Sequence, residues 1–185
     1  MIYYARSVYP TMLRAINEIS QLQSRPTRDT VEKSRMLLDY AATYLNTILC
    51  YKASAMVLNV DSDAEYLTMP DSRNCYAGHF YLSDWPSPSP IKHNTEINVP
   101  IHTECKTIQN VVSSAEEAGT CGTFKNGKTD IDMRPALITS DHKQTAIPLK
   151  TDNSKTEGFL NLGMKSKGFK NMGYEVALIE RQRSP

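Results

Sequence analysis

The residues of this chain best suited to chemistry lie in three short acidic stretches: LNVDSDAEYLT at 58–68, SSAEEAGT at 113–120 and PLKTDNSKTEG at 148–158. Asp63 follows an apolar, strand-like run, Glu117 falls in a helical pattern, and Asp152 follows a second strand-like run. Carboxylates aimed at one point from three elements make a site for hard cations such as magnesium. Two such ions can hydrolyse a phosphodiester, activating a water and stabilising the leaving oxygen.

Each stretch also has a plainer reading. Asp61, Asp63 and Glu65 alternate, so in a strand they share one face. Their D-x-D-x-E spacing opens like a calcium loop, but Tyr66 stands where that loop needs glycine and Ser72 where it needs glutamate. In the second stretch, apolar positions 108, 111, 112 and 115 turn Glu116 nearer the buried side than Glu117. In the third, Thr-Asp-Asn is also ordinary turn and helix-start chemistry. His79, His93, His102 and His142 form no HExxH pattern, and Cys50, Cys75, Cys105 and Cys121 form no CxxC pair. Zinc is therefore disfavoured, and four reduced thiols in an intracellular protein are expected.

The elements that must position these acids follow from periodicity. Leu13, Ile16, Ile19 and Leu22 predict a helix over 10–23, opened by Pro10. Thr27 is the expected N-cap of a second helix to about Tyr44, with Val31, Leu38, Ala41 and Leu45 on its apolar side. The pair should pack as a hairpin. Strand composition appears at 48–52, 56–60, 77–85 and 100–105, with a Pro/Ser-rich loop over 85–98. A helix is expected over 107–120, its continuation weakened by Gly119, Gly122 and Gly127. A short helix interrupted at Pro135, a strand over 146–151, a short helix over 152–163 and a weak terminal helix after Met172 complete the reading. Strands first, then alternating helix and strand, predict a mixed α/β (α+β) sheet domain. With 185 residues there is room for one core, or one core with a helical appendage.

A net charge of +1 argues against a strongly basic nucleic-acid binder, although Lys165, Lys167 and Lys170 form a local basic cluster. The opening MIYYARSVYPTM has no apolar run suited to a signal peptide or a membrane span, and reads as the middle of a longer protein.

In their order, the acidic stretches resemble the ribonuclease H domain of copia-type retrotransposon polyproteins. SDAEY resembles the family's strand-one SDA-x-Y/W motif, VVSSAEEAG its SS-x-EAE helix, and LKTDNS its TDN-S segment. YAGHFYLSDW and PIHTECKTIQ are similar to its second and third strands. The upstream YYARSVYPTMLRAINEISQLQSRPT and MLLDYAATYLNTILCYKAS resemble the end of the reverse transcriptase. The resemblance implies a helical segment over 1–46 and a ribonuclease H-like mixed sheet flanked by helices over 47–170. It further implies Asp63, Glu117 and Asp152 as catalytic metal ligands, with Asp61 and Glu116 as alternates. Two Mg2+ or Mn2+ ions would be the cofactors, and an RNA–DNA hybrid the substrate, recognised by its shape and 2′-hydroxyls. The three lysines would touch phosphate. The remainder of a retroelement polyprotein would be a partner, in the cytoplasm or nucleus, with no membrane role.

The chain departs from the family in ways that predict impairment. The family's last strand and final helix, with a fourth acid in an AD motif, have no counterpart, and no YxDD-like polymerase motif is present. Little or no hybrid cleavage is expected, and a non-catalytic binding or interaction remnant is the alternative. The tail over 171–185 is divergent: MGYEVALIERQR can be encoded by nucleotides whose neighbouring frame reads WDMKWH, a stop, then LRDK, similar to the family's DMRFHWLRD-like segment. A frameshift near residue 171 therefore predicts that the genomic DNA encodes this second reading. Sequencing that shows none overturns the frameshift.

Overall fold

In the computed structural model the described residues are 1–84, 97–144, 149–156 and 158. A three-stranded antiparallel meander organises them. Strand β1 (Val57–Met69) pairs with β2 (Arg73–Ser83), and β2 pairs with β3 (Pro100–Thr107). A long helix follows, and strand β4 (Leu149–Thr151) then adds to the other side of β1, parallel to it. The sheet order is β3-β2-β1-β4.

Alternation in β1 assigns the faces. Leu58 and Val60 bury against Phe80, Leu82 and the partly buried Leu149. Asn59, Asp61, Asp63 and Glu65 point the other way. The strand is longer than the apolar run 56–60 suggests, because its next residues, 61–65, keep the ladder through pairing with β2. Residues 48–52 are not a strand. There the main chain of Lys52 is bonded to a side chain, Asn98, which donates to its carbonyl and accepts from its N–H. An asparagine amide thus takes the place of a neighbouring strand.

Helix α4 spans Ala115–Thr139, starting later and running much further than the helix expected over 107–120. Ile108 and Val112 are buried before it begins, so their apolar spacing belongs to a connection rather than to a helix. Ser114 caps the helix by accepting the Glu117 N–H at 3.1 Å. The glycines expected to weaken it are contact points instead. A Cβ at Gly122 would stand 3.0 Å from Tyr76 Cβ and 3.3 Å from Ala64 Cβ. Close packing on the sheet offsets the ~1 kcal/mol that a helical glycine costs relative to alanine. Pro135 does not end the helix; it lies in the last turns, where one missing N–H is tolerated.

The N-terminal segment covers the other face. Helix α1 (Ile2–Ser7), inside the helical segment the resemblance implies but not given by periodicity, precedes a 3-10 turn at Pro10–Met12 and helix α2 (Leu13–Gln21). Helix α3 (Arg28–Thr43) opens with Thr27 and Thr30 bonded reciprocally in a capping box. Ala5, Tyr9, Met12, Leu13, Ile16 and Leu37 form its core, with Ala41 and Cys105 packed against it. The α2–α3 hairpin is as expected, but the buried stripe of α3 is displaced. Thr30 and Leu37 are inside, whereas Val31, Leu38 and Leu45 are exposed. Leu38 lies about 100° around the helix from Leu37, and α2 selects the latter. Among the described residues no helix is long and apolar enough to cross a membrane.

Gly78 on β2 sits under α4, and a Cβ there would lie 2.3 Å from Asn126 Oδ1 and 2.8 Å from Phe80 Cε2. Asn126 is pinned by donating from Nδ2 to Ser62 Oγ and to the Ala77 carbonyl, both at 2.8 Å. Gly78→Ala is therefore expected to lower unfolding stability by about 1–3 kcal/mol, measured by chemical denaturation.

Candidate functional site

The parallel register of β1 and β4 brings two of the three acids together. Ser62 pairs with Thr151, so Asp63 and Asp152 each stand one residue beyond that pair. Neighbouring strands are about 4.8 Å apart, which puts the two residues side by side. Both are exposed and line an open cleft of about 1070 Å³. The cleft lies on the face that Asp61, Asp63 and Glu65 share, between the sheet and α2. Asp63 Oδ1 accepts the Ala64 N–H at 2.7 Å. Asp61 accepts from Tyr81 Oη at 3.5 Å, and Lys150 donates to that same hydroxyl at 3.0 Å. Glu65 accepts from Arg14 Nη2 at 2.8 Å and Nε at 3.1 Å, tying the sheet to α2. These Arg14 bonds hold the Glu65 carboxyl below its usual range.

Glu117 is elsewhere. It belongs to α4, which packs on the opposite face, where Asn126 meets Ser62. At 1% exposure, its Oε2 accepts the Ser113 N–H at 2.6 Å and the Ser113 hydroxyl at 2.8 Å. Together with the Ser114 cap, this closes the helix N-terminus much as a capping box does. Glu116, which periodicity favoured, pairs with Lys155 just after Asp152. That bond, with the helix-start N–H and Ser114, holds the Glu116 carboxyl down at about 2. Gly119 allows the approach, since a Cβ there would lie 2.8 Å from Thr156 Oγ1 and 2.9 Å from Asn153 Nδ2.

The Mg2+ or Mn2+ pair implied by the resemblance would need carboxylates that converge on one point. Among the described residues no group of three His, Cys, Asp or Glu side chains is placed to hold a metal ion. Asp63 and Asp152 share a face, Glu117 is on the other, and both Ser113 donors already occupy one of its oxygens. The residues as placed do not fit a two-metal centre. Lys165, Lys167 and Lys170 lie outside the described residues, as do the short helix beyond 158 and the terminal helix.

Two further groups were not singled out by the sequence reading. Glu104 on β3 is buried under α4 and accepts from Tyr76 Oη at 3.0 Å, Lys106 Nζ at 2.7 Å and Thr129 Oγ1 at 3.4 Å. Burial alone would raise its carboxyl, but His102, Lys106 and Tyr76 together bring it to about 2. Cys75 and Cys105 come within 3.6 Å through their sulfurs, although thirty residues separate them. Strand pairing creates both arrangements, and only a correct β2–β3 register read from sequence could have revealed them.

No protein-family profile, curated protein or solved structure matches the chain.

Asp130 of α4 is 7% exposed, and its Oδ1 has no hydrogen-bond partner among the described residues. Burial raises its carboxyl from 3.8 to about 6, against a partial opposing pull from Arg134. The folded state therefore holds this proton more tightly than the unfolded chain. The contribution of Asp130 to stability is greatest below about pH 4 and is lost as pH rises towards 6. Asp130→Asn should flatten that part of the stability–pH curve and gain at most roughly 3 kcal/mol at pH 7. Urea denaturation of both proteins across pH 4–7 measures the difference.

Proposed function

We propose that the chain is a ribonuclease H-like domain descended from a copia-type retrotransposon polyprotein, preceded by the end of the reverse transcriptase. It keeps the scaffold of the hydrolase and has little or no cleavage activity of its own. The observation that carries this reading is the coincidence of motif order with element order. SDAEY lies within β1, YAGHFYLS within β2 and PIHTECKT forms β3. SSAEEAG opens α4, and TDN ends β4, which pairs in parallel with the first strand. An unrelated α+β protein has no reason to distribute five such segments in this sequence over these elements.

The chemistry of the acids supports the impaired form. RNA-strand hydrolysis needs carboxylates converging on a metal pair. Here the glutamate closes a helix end and the two aspartates face the other way. What the scaffold retains is an acid pair on an open cleft and an α-helical cover, suited to a non-catalytic remnant that binds or assembles.

An RNA–DNA hybrid with a labelled RNA strand, incubated with the full chain and Mg2+ or Mn2+, tests the proposal. The expected result is no product above the metal-only background, with Asp63→Asn indistinguishable from the unsubstituted protein. Metal-dependent cleavage abolished by Asp63→Asn would show that the acids do assemble, overturning the impairment while retaining the descent. Cleavage that survives Asp63→Asn would overturn the assignment of the acids.

A further inference from the structure

We propose that Cys75 and Cys105 form a reversible dithiol–disulfide site, in which Cys105 reacts with a peroxide and Cys75 resolves the product. The two residues are diagonal neighbours across the β2–β3 ladder, Cys75 opposite Thr107 and Cys105 opposite Ala77, on the cleft face of the sheet. Their sulfurs are 3.6 Å apart. A disulfide requires about 2.05 Å, so closure needs the sulfurs to approach by roughly 1.6 Å.

The surroundings distinguish the two sulfurs. Asn17 Nδ2 on α2 donates to Cys75 at 3.5 Å and to Cys105 at 3.7 Å. The single S–H of Cys75 has two acceptors at 3.6 Å, the Tyr76 carbonyl and Cys105 Sγ. With that S–H turned to Cys105, this hydrogen bond, the Asn17 amide and the charge of Arg14 favour the Cys105 thiolate, against the effect of burial. The same pairing and burial push Cys75 up. A thiolate is the nucleophile in such chemistry, and an adjacent cation and donors mark the more reactive sulfur. Cys105 is also partly exposed, whereas Cys75 is buried, and both line the open cleft. An oxidant therefore meets Cys105 first.

The chemistry balances with a hydroperoxide as oxidant. The Cys105 thiolate attacks one peroxide oxygen, the O–O bond breaks, and the released oxyanion takes up a proton. Cys105 becomes a sulfenic acid. The Cys75 sulfur then attacks Cys105 Sγ, the S–O bond breaks, and hydroxide leaves as water with the proton from Cys75. Two thiols lose two electrons and one peroxide gains them. The product staples β2 to β3 beneath α2.

Hydrogen peroxide added to the full chain, followed by peptide mapping without reductant, tests this. The expected product is a Cys75–Cys105 linked peptide, lighter by two hydrogens and cleaved again by dithiothreitol. In Cys75→Ser, dimedone should trap a persistent sulfenic acid at Cys105. Arg14→Gln should slow oxidation of Cys105 in the otherwise unsubstituted chain by roughly threefold to tenfold. Circular dichroism establishes that each variant is folded, and the mapping of the unsubstituted chain stands without them. Oxidation confined to the exposed Cys50 overturns the proposal. So does dimedone-labelled Cys105 that accumulates unlinked while Cys75 is present.

Discussion

The Asn126 side chain holds α4 against the sheet, and the placement of the other elements depends on that contact. Its amide donates to Ser62 Oγ on β1 and to the Ala77 carbonyl on β2, directly over Gly78. It occupies space that a Cβ at Gly78 would take. A buried amide bonded to two strands fixes the helix in both translation and rotation, because any slip leaves polar groups unsatisfied in a dry interface. Gly122, one turn earlier, meets Tyr76 and Ala64 in the same row. Further along, Met133 and Leu137 pack on the Leu58, Val60, Phe80 and Leu82 cluster.

With the helix so placed, one face of the sheet is closed and the fate of every β1 side chain is decided. Even-numbered residues from Leu58 to Ala64 meet α4, and Asp61, Asp63 and Glu65 turn to the cleft beneath α2. Glu65 is held there by Arg14, and Cys75 and Cys105 are gathered beside it under Asn17. Glu104, on the helix side, is buried and accepts from Tyr76, Lys106 and Thr129. Asp61, Asp63, Glu65 and the Cys75–Cys105 pair thus share one side, and the buried carboxylates of Glu104 and Glu117 lie on the other. The separation of Asp63 from Glu117 is a consequence of the same packing.

Part of this was legible in local pattern. Thr27 as an N-cap, the α2–α3 hairpin, the strand cores at 57–60, 77–83 and 100–105, and the Asp after β4 all follow from short-range rules. The errors came from competition between elements. Apolar residues at 108 and 112 mimic a helix face but are buried by the fold of a connection. The run at 48–52 has strand composition, yet Asn98 satisfies its backbone where a neighbouring strand would otherwise be needed. Gly119 and Gly122 resembled breakers because their value lies in the surface they meet, which is not local.

The sequence by itself determined the kind of elements, their order, and the acids that stand at their ends. It did so because helix and strand periodicity, capping and turn chemistry act within a few residues of chain. Only the tertiary structure decided which acids share a face, that Glu117 closes a helix against Ser113, and that two distant cysteines touch. Those outcomes depend on strand register and on the side of the sheet a helix covers. Both are set by packing between segments far apart in the chain, where a shift of one residue exchanges the two faces.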